Sequence, residues 1–65
     1  MATGKVKWFD PNQGYGFIEM ADKKIIFVQH KDIQGSKTLD EGQVVEFEIC
    51  SDPKGRPYAE NVVRV

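Results

Sequence analysis

Cys50 is the only cysteine in this chain of 65 residues. A lone thiol excludes an internal disulfide and leaves no thiolate cluster for zinc, so a reducing compartment is the natural setting. Histidine is equally scarce: His30 stands alone, with no carboxylate cluster at ligand spacing beside it. Neither a metal site nor a set of nucleophile, base and orienting group can be assembled from it, even with Asp10 or Asp32, and no enzyme is expected. No apolar run approaches the length of a membrane span, and the N-terminus lacks the basic, apolar and small-residue pattern of a secretory signal. A soluble, cytoplasmic protein is expected, with no cofactor, no small-molecule substrate and no membrane partner. Excess basic charge is missing too. Lysine and arginine number 9 against 10 acidic residues, giving a net charge of −1, whereas binders that rely on phosphate neutralisation are usually strongly basic. The length allows one domain over residues 1–65, expected to be monomeric. Such a domain buries only about 60% of the surface its unfolded chain exposes, and its stability is marginal.

What the chain does have is a set of aromatic residues among lysines and aliphatics. The three stretches are Lys5-Val6-Lys7-Trp8-Phe9, Gly14-Tyr15-Gly16-Phe17-Ile18 and Ile26-Phe27-Val28-Gln29-His30. On a strand, side chains alternate between faces. Tyr15 and Phe17 therefore share a face, Phe27 and Gln29 join it, and Ile18, Ile26 and Val28 fall on the opposite, aliphatic face. The aliphatic face reads as core. Rings with Lys5, Lys7 and Gln29 around them suit single-stranded nucleic acid, because any base stacks on a ring and an ammonium meets the phosphate. The charge is placed to match: Asp40, Glu41, Glu46, Glu48, Asp52 and Glu60 all lie in the second half. Stacking should then matter more than counterion release. Other readings of the same rings are a second hydrophobic cluster under the long loop, or a face for extended or proline-rich peptides.

In order, Thr3 to Phe9 reads as a first strand with an internal conflict. Strict alternation puts Trp8 with Val6 and Phe9 with the lysines. Either Trp8 is core, or the strand bulges near Lys7 and Trp8 so that both reach the surface. Asp10-Pro11-Asn12-Gln13-Gly14 has turn chemistry throughout. Tyr15 to Met20 and Ile25 to Gln29 follow as strands across a polar turn, Ala21 to Lys24. Gly16, in mid-strand, marks a barrel bend or a close backbone approach. His30 to Ile33 forms a short helical turn that returns Ile33 to the core. Gln34 to Gly42 is a long polar connection, with Ser36 and Thr38 read as solvated. Val44 to Cys50 alternates, with Val45, Phe47 and Ile49 on one face and Glu46 and Glu48 on the other, so Phe47 is core. Asp52 to Pro57 turns into a last strand, Tyr58 to Val65. Five short antiparallel strands without a convincing helix point to a barrel that hides its edges.

Gly4-Lys5-Val6-Lys7-Trp8-Phe9, Gly14-Tyr15-Gly16-Phe17-Ile18, Ile26-Phe27-Val28, Thr38 to Gln43 and Ala59-Glu60-Asn61-Val62 resemble a bacterial cold-shock protein nearly end to end. The Lys-Trp-Phe and Gly-Tyr-Gly-Phe-Ile segments are the most specific. The resemblance implies an all-β, five-stranded Greek-key barrel of the OB-fold, non-enzymatic binding of single-stranded RNA and DNA, and an RNA chaperone role in stress response. It favours an exposed Trp8. Carried over to matching positions, the binding set is Lys7, Trp8, Tyr15, Phe17 and Phe27, with Lys5 as a peripheral phosphate contact; Tyr15 stands where phenylalanine is common. Four departures are visible. Gln29 and His30 replace a histidine and an aromatic, and Gln13 replaces a lysine. The segment Gly35-Ser36-Lys37-Thr38 is shorter and lacks a loop phenylalanine, and the turn after Cys50 is rewritten, with Arg56 as the substitute for a basic or polar contact there.

Overall fold

Turn residues cut the chain into five β-rich segments, and each becomes a strand. The computed structural model describes residues 1–35 and 38–65. Among the described residues the strands are β1 (Ala2–Asp10), β2 (Tyr15–Met20), β3 (Ile25–Gln29), β4 (Val44–Ser51) and β5 (Pro57–Arg64), with a 3-10 turn at His30–Asp32. They close into a barrel in the order β1-β2-β3-β5-β4, and β4 returns to β1. β2 and β3 begin and end where the alternation places them, while the other three differ by a residue or so at their ends.

One pairing departs from the antiparallel expectation. β3 meets β5 in parallel, through a single rung that sets Phe27 opposite Tyr58. The reason is parity. Strand direction can alternate all the way round a ring only if the number of strands is even, so a closed barrel of five must contain one parallel seam.

Inside lie Val6, Phe9, Ile18, Ile26, Val28, Val45, Phe47, Ala59 and Val62, with Ile33 contributed by the end of the helical turn and Leu39 by the long connection. Phe47 is fully enclosed; burial on that scale contributes about 1.5–3 kcal/mol relative to exposure. Ile33 seals one end by bridging to Val62, and the N–H of Gln34 donates to the Val62 carbonyl at 2.8 Å. The expected Val45-Phe47-Ile49 face needs correction at its last member. Ile49 lies opposite buried Ala59 yet is 48% exposed. β1 pairs with β4 only as far as Phe47, opposite Ala2, so Ile49 sits on a two-stranded extension that β1 does not reach. The Ser36 position lies outside the described residues, as does the middle of the segment said to lack a loop phenylalanine.

Candidate nucleic-acid interface

The site begins with an irregularity in β1. Val6 is opposite Ile18 and Trp8 is opposite Phe17, so β1 advances two residues while β2 advances one, and Lys7 is the extra residue of a bulge. The bulge resolves the conflict in the sequence. Val6 points inward, Trp8 is 37% exposed and Phe9, only 7% exposed, enters the core.

Gly16 makes this possible. A Cβ there would strike the Trp8 carbonyl oxygen and lie 2.7 Å from Phe9 Cα, closer than such atoms approach. The backbones of β1 and β2 can press together at the bulge only because no side chain stands between them. The following turn is fixed by Asp10, whose Oδ1 accepts from the N–H of Asn12 at 2.9 Å and of Gln13 at 3.3 Å. The N–H of Gly14 donates to the Asp10 carbonyl at 2.7 Å, with Gly14 at φ 79°. That left-handed step, natural to glycine, delivers Tyr15 opposite Asp10.

Four rings then meet on the outside of the barrel. Trp8 lies 5.4 Å from Tyr15 edge-on and 6.1 Å from Phe17 at an interplanar angle of 26°. Phe27 lies 5.9 Å from Phe17 and 5.8 Å from Tyr15. Tyr15, Phe17 and Phe27 are half-buried. Lys7 is exposed and lines a cleft with Trp8, Phe17 and Ile25.

Over residues 2–65 the chain matches the family model of the 'Cold-shock' DNA-binding domain. It belongs to the cold-shock domain family. It is 51% identical to the cold shock protein CspB of Bacillus caldolyticus and 49% identical to the cold shock-like protein CspLB of Listeria monocytogenes, both aligned over the full length of each chain. It is 58% identical to the cold shock-like protein CspB of Yersinia pestis, over 94% of this chain and 90% of that protein.

The remaining expected residues take different places in this cold-shock domain. Gln29 is half-buried opposite Tyr15, at the end of the ring cluster. His30 is exposed; its N–H donates to the Gly14 carbonyl at 2.8 Å, and a Cβ on Gly14 would fall 3.1 Å from its Nδ1, so the imidazole lies over the β1–β2 loop. Lys5 is farther out, with Glu19 and Val44 as its cross-strand neighbours rather than rings. Arg56 lies across the barrel seam. With Pro57, Tyr58 and Asp52 it lines a cavity of about 640 Å³ whose other residues are Phe17, Ile25, Phe27 and Gln29. Its charge is partly met within the turn, because Nε is 3.4 Å from Asp52 Oδ2; its backbone N–H also donates to Asp52 Oδ1, at 2.7 Å. That N–H is the main reason the Asp52 carboxyl is held below its ordinary value.

Two further contributors to this face are Tyr58 and Ile25. The hydroxyl of Tyr58 donates to Glu60 Oε2 at 2.9 Å, and this bond, more than partial burial, pushes its pKa up to about 12. Its proximity to Phe27 comes from barrel closure, which joins the middle of the chain to its last strand and has no local signal. Ile25 was within reach: the alternation that puts Phe27 and Gln29 on the aromatic face puts Ile25 there as well. A separate cavity of about 480 Å³, lined by Lys31, Asp32, Ile33, Gln34, Gly35, Glu60 and Asn61, contains none of the rings. Among the described residues, no group of three or more His, Cys, Asp or Glu side chains is disposed to hold a metal ion.

Proposed function

We propose that this cold-shock domain binds single-stranded RNA and DNA, without catalysis, and acts as a cytoplasmic RNA chaperone and monomer. The observation that carries the reading is the continuous platform of Trp8, Tyr15, Phe17 and Phe27, with Lys7 at its edge. A base laid on a ring exchanges stacking on its neighbour for stacking on protein, worth about 1–3 kcal/mol per base. That exchange competes directly with the stacked, paired state of a hairpin and needs no nucleotide hydrolysis. Lys7 meets phosphate at the Trp8 edge and Arg56 at the Phe27 edge, Gln29 offers hydrogen bonds to a base edge, and His30 and Lys5 serve the periphery. Four rings on an outer face, with two cations beside them, favour an anionic, stacked polymer over an extended peptide.

The test is a titration of Trp8 fluorescence with a pyrimidine oligonucleotide, a matched duplex and a proline-rich peptide. Quenching by the single strand, with little response to the other two, is expected. Equal affinity for the duplex overturns the stacking mechanism, and a response to the peptide alone replaces it with peptide recognition.

A further inference from the structure

β4 outruns the strand beside it. β1 pairs with it from Lys5 opposite Val44 to Ala2 opposite Phe47, whereas β5 continues along its other side to Pro57 opposite Ser51. The backbone groups of successive strand residues point to opposite neighbours. The Gln43 carbonyl accepts from Val6 of β1, and the Val44 carbonyl accepts from Val65, just past β5. Odd-numbered residues of β4 therefore address β1 and even-numbered ones address β5. Ile49 and Ser51 direct their N–H and C=O groups to the side that β1 has left, and among the described residues no turn or loop bond is made to them. Both are exposed. A bare edge of this kind is a template for another strand.

The side chains around the edge select what can pair there. A strand added beside residues 49–51 would place one side chain inward over Ile49, on the side of Val45 and Phe47, and the next outward beside Cys50. The outward face is anionic. Glu48 lies directly opposite Glu60, and Glu46 is the preceding outward residue of β4. The hydrogen bonds these two opposed carboxylates accept come from neutral groups, Asn61 Nδ2 at 2.6 Å on Glu48 and the Tyr58 hydroxyl at 2.9 Å on Glu60. Like charges directly opposite destabilise a sheet, and a long side chain beside Cys50 is diagonal to Glu48 and within its reach. A lysine or arginine there relieves the repulsion. A phosphate chain would add to it, and none of the four platform rings stands on β4.

We propose that the free edge at Ile49 and Ser51 is a strand-addition site for an extended segment of a partner protein, one with an apolar residue over Ile49 and lysine or arginine on its outward face. Main-chain bonds supply the affinity and the alternate side chains the selectivity. The edge is separate from the ring platform, so the proposal does not rest on the single-strand reading.

The experiment titrates the isotope-labelled chain at low salt with acetyl-KVKVK-amide and, in parallel, with acetyl-EVEVE-amide, followed by the amide resonances. The lysine peptide should shift Ile49 and Ser51 and slow hydrogen exchange of their N–H groups by about tenfold at saturation, the protection of one added hydrogen bond. Its valine methyls should give nuclear Overhauser contacts to Ile49. The glutamate peptide should bind about fivefold more weakly, and Glu48→Lys should reverse that order. Ser51→Pro removes a donor that faces away from β5 and should abolish the slowed exchange at Ile49. Val44→Thr, where β4 is still paired with β1, should bind as the native chain does. Unmoved Ile49 and Ser51 resonances, missing contacts to Ile49, or equal binding of the two peptides overturns the proposal, and each is read on the native chain whether or not the variants fold. Undiminished binding by a folded Ser51→Pro also overturns it. Changes at Ile49 and Ser51 that grow with protein concentration in the absence of peptide assign the edge to a second copy of the chain instead.

Discussion

Trp8 faces Phe17 across the β1–β2 pair, with ring centroids 6.1 Å apart and planes 26° apart, because Lys7 is one residue too many for the register. A regular β1 would turn Trp8 inward with Val6 and force Phe9 out. The bulge reverses both at once, so Phe9 is buried at the same step that exposes Trp8. Lys7, set at the same irregularity, lines the cleft beside that ring pair.

Phe17 neighbours all three other rings of the cluster, Trp8, Tyr15 and Phe27. Phe17→Ala should cost about 1–3 kcal/mol of oligonucleotide binding, and Phe27→Ala a similar amount. Each variant should still fold, losing about 0.5–1.5 kcal/mol for each aromatic pair removed. Binding titrations beside urea denaturation will separate the two effects. Normal binding by an unstable Phe17→Ala would make the cluster structural.

Lys7→Ala should act differently. Removing one phosphate contact lowers the slope of log affinity against log salt by about 0.7 for a single strand. Lys5→Ala, among Glu19 and Val44, should change the slope less. Titrations across a salt series will show it, and equal effects of the two lysines would place both at the phosphate.

Gly16→Ala should destabilise the barrel by about 3 kcal/mol, the upper part of the usual overpacking range, because the atoms it meets are backbone and cannot rotate away. Gly42→Ala is the control: open space surrounds its Cβ position, and only its φ of 83° opposes the change, a cost of about 1–2 kcal/mol. Denaturation curves should rank them in that order. Only Gly16→Ala should also alter Trp8 emission, since it presses on the Trp8 carbonyl.

The residues that the sequence disclosed are those governed by local rules. Alternation identified Ile18, Ile26, Val28 and Phe47 as core and grouped Tyr15, Phe17 and Phe27 on one face; turn chemistry located the breaks. Alternation by itself could not choose between a buried Trp8 and a bulge, because a bulge is a property of two strands in register and the partner register is nonlocal. Ile49 was misplaced for a related reason, since its pattern is right but the strand that would cover it stops short. Tyr58 and the aim of Arg56 depend on barrel closure, which no window of sequence contains.

The Asp52 turn gives a prediction in pH. The Arg56 N–H, with its guanidinium and the Lys54 N–H in support, holds the Asp52 carboxyl below its ordinary value of 3.8, against an opposing contribution from burial. A carboxylate that is harder to protonate when folded adds stability that is complete above its unfolded value, and that stability is lost as pH falls through the lower folded value. Asp52→Asn should therefore melt below the native chain at neutral pH, and the gap should close once the pH is well below about 4. Oligonucleotide binding at low salt should move the other way at neutral pH, strengthening as Arg56 loses its internal counterion. Melting curves across pH, and titrations at pH 7 at low salt and again at high salt where surface charge is screened, provide both readings.

The parallel seam has a kinetic consequence. β3 and β5 are joined by one rung, Phe27 opposite Tyr58, whereas β1 and β2 share a ladder from Gly4 and Met20 to Asp10 and Tyr15. Native-state openings start where the fewest hydrogen bonds must break, so the barrel should breathe along this seam, and amide exchange there should outpace exchange in the β1–β2 ladder. The cavity between Phe27 and Arg56 spans the same seam. A strand lying across it would act as a clasp on the weakest joint of the protein that holds it.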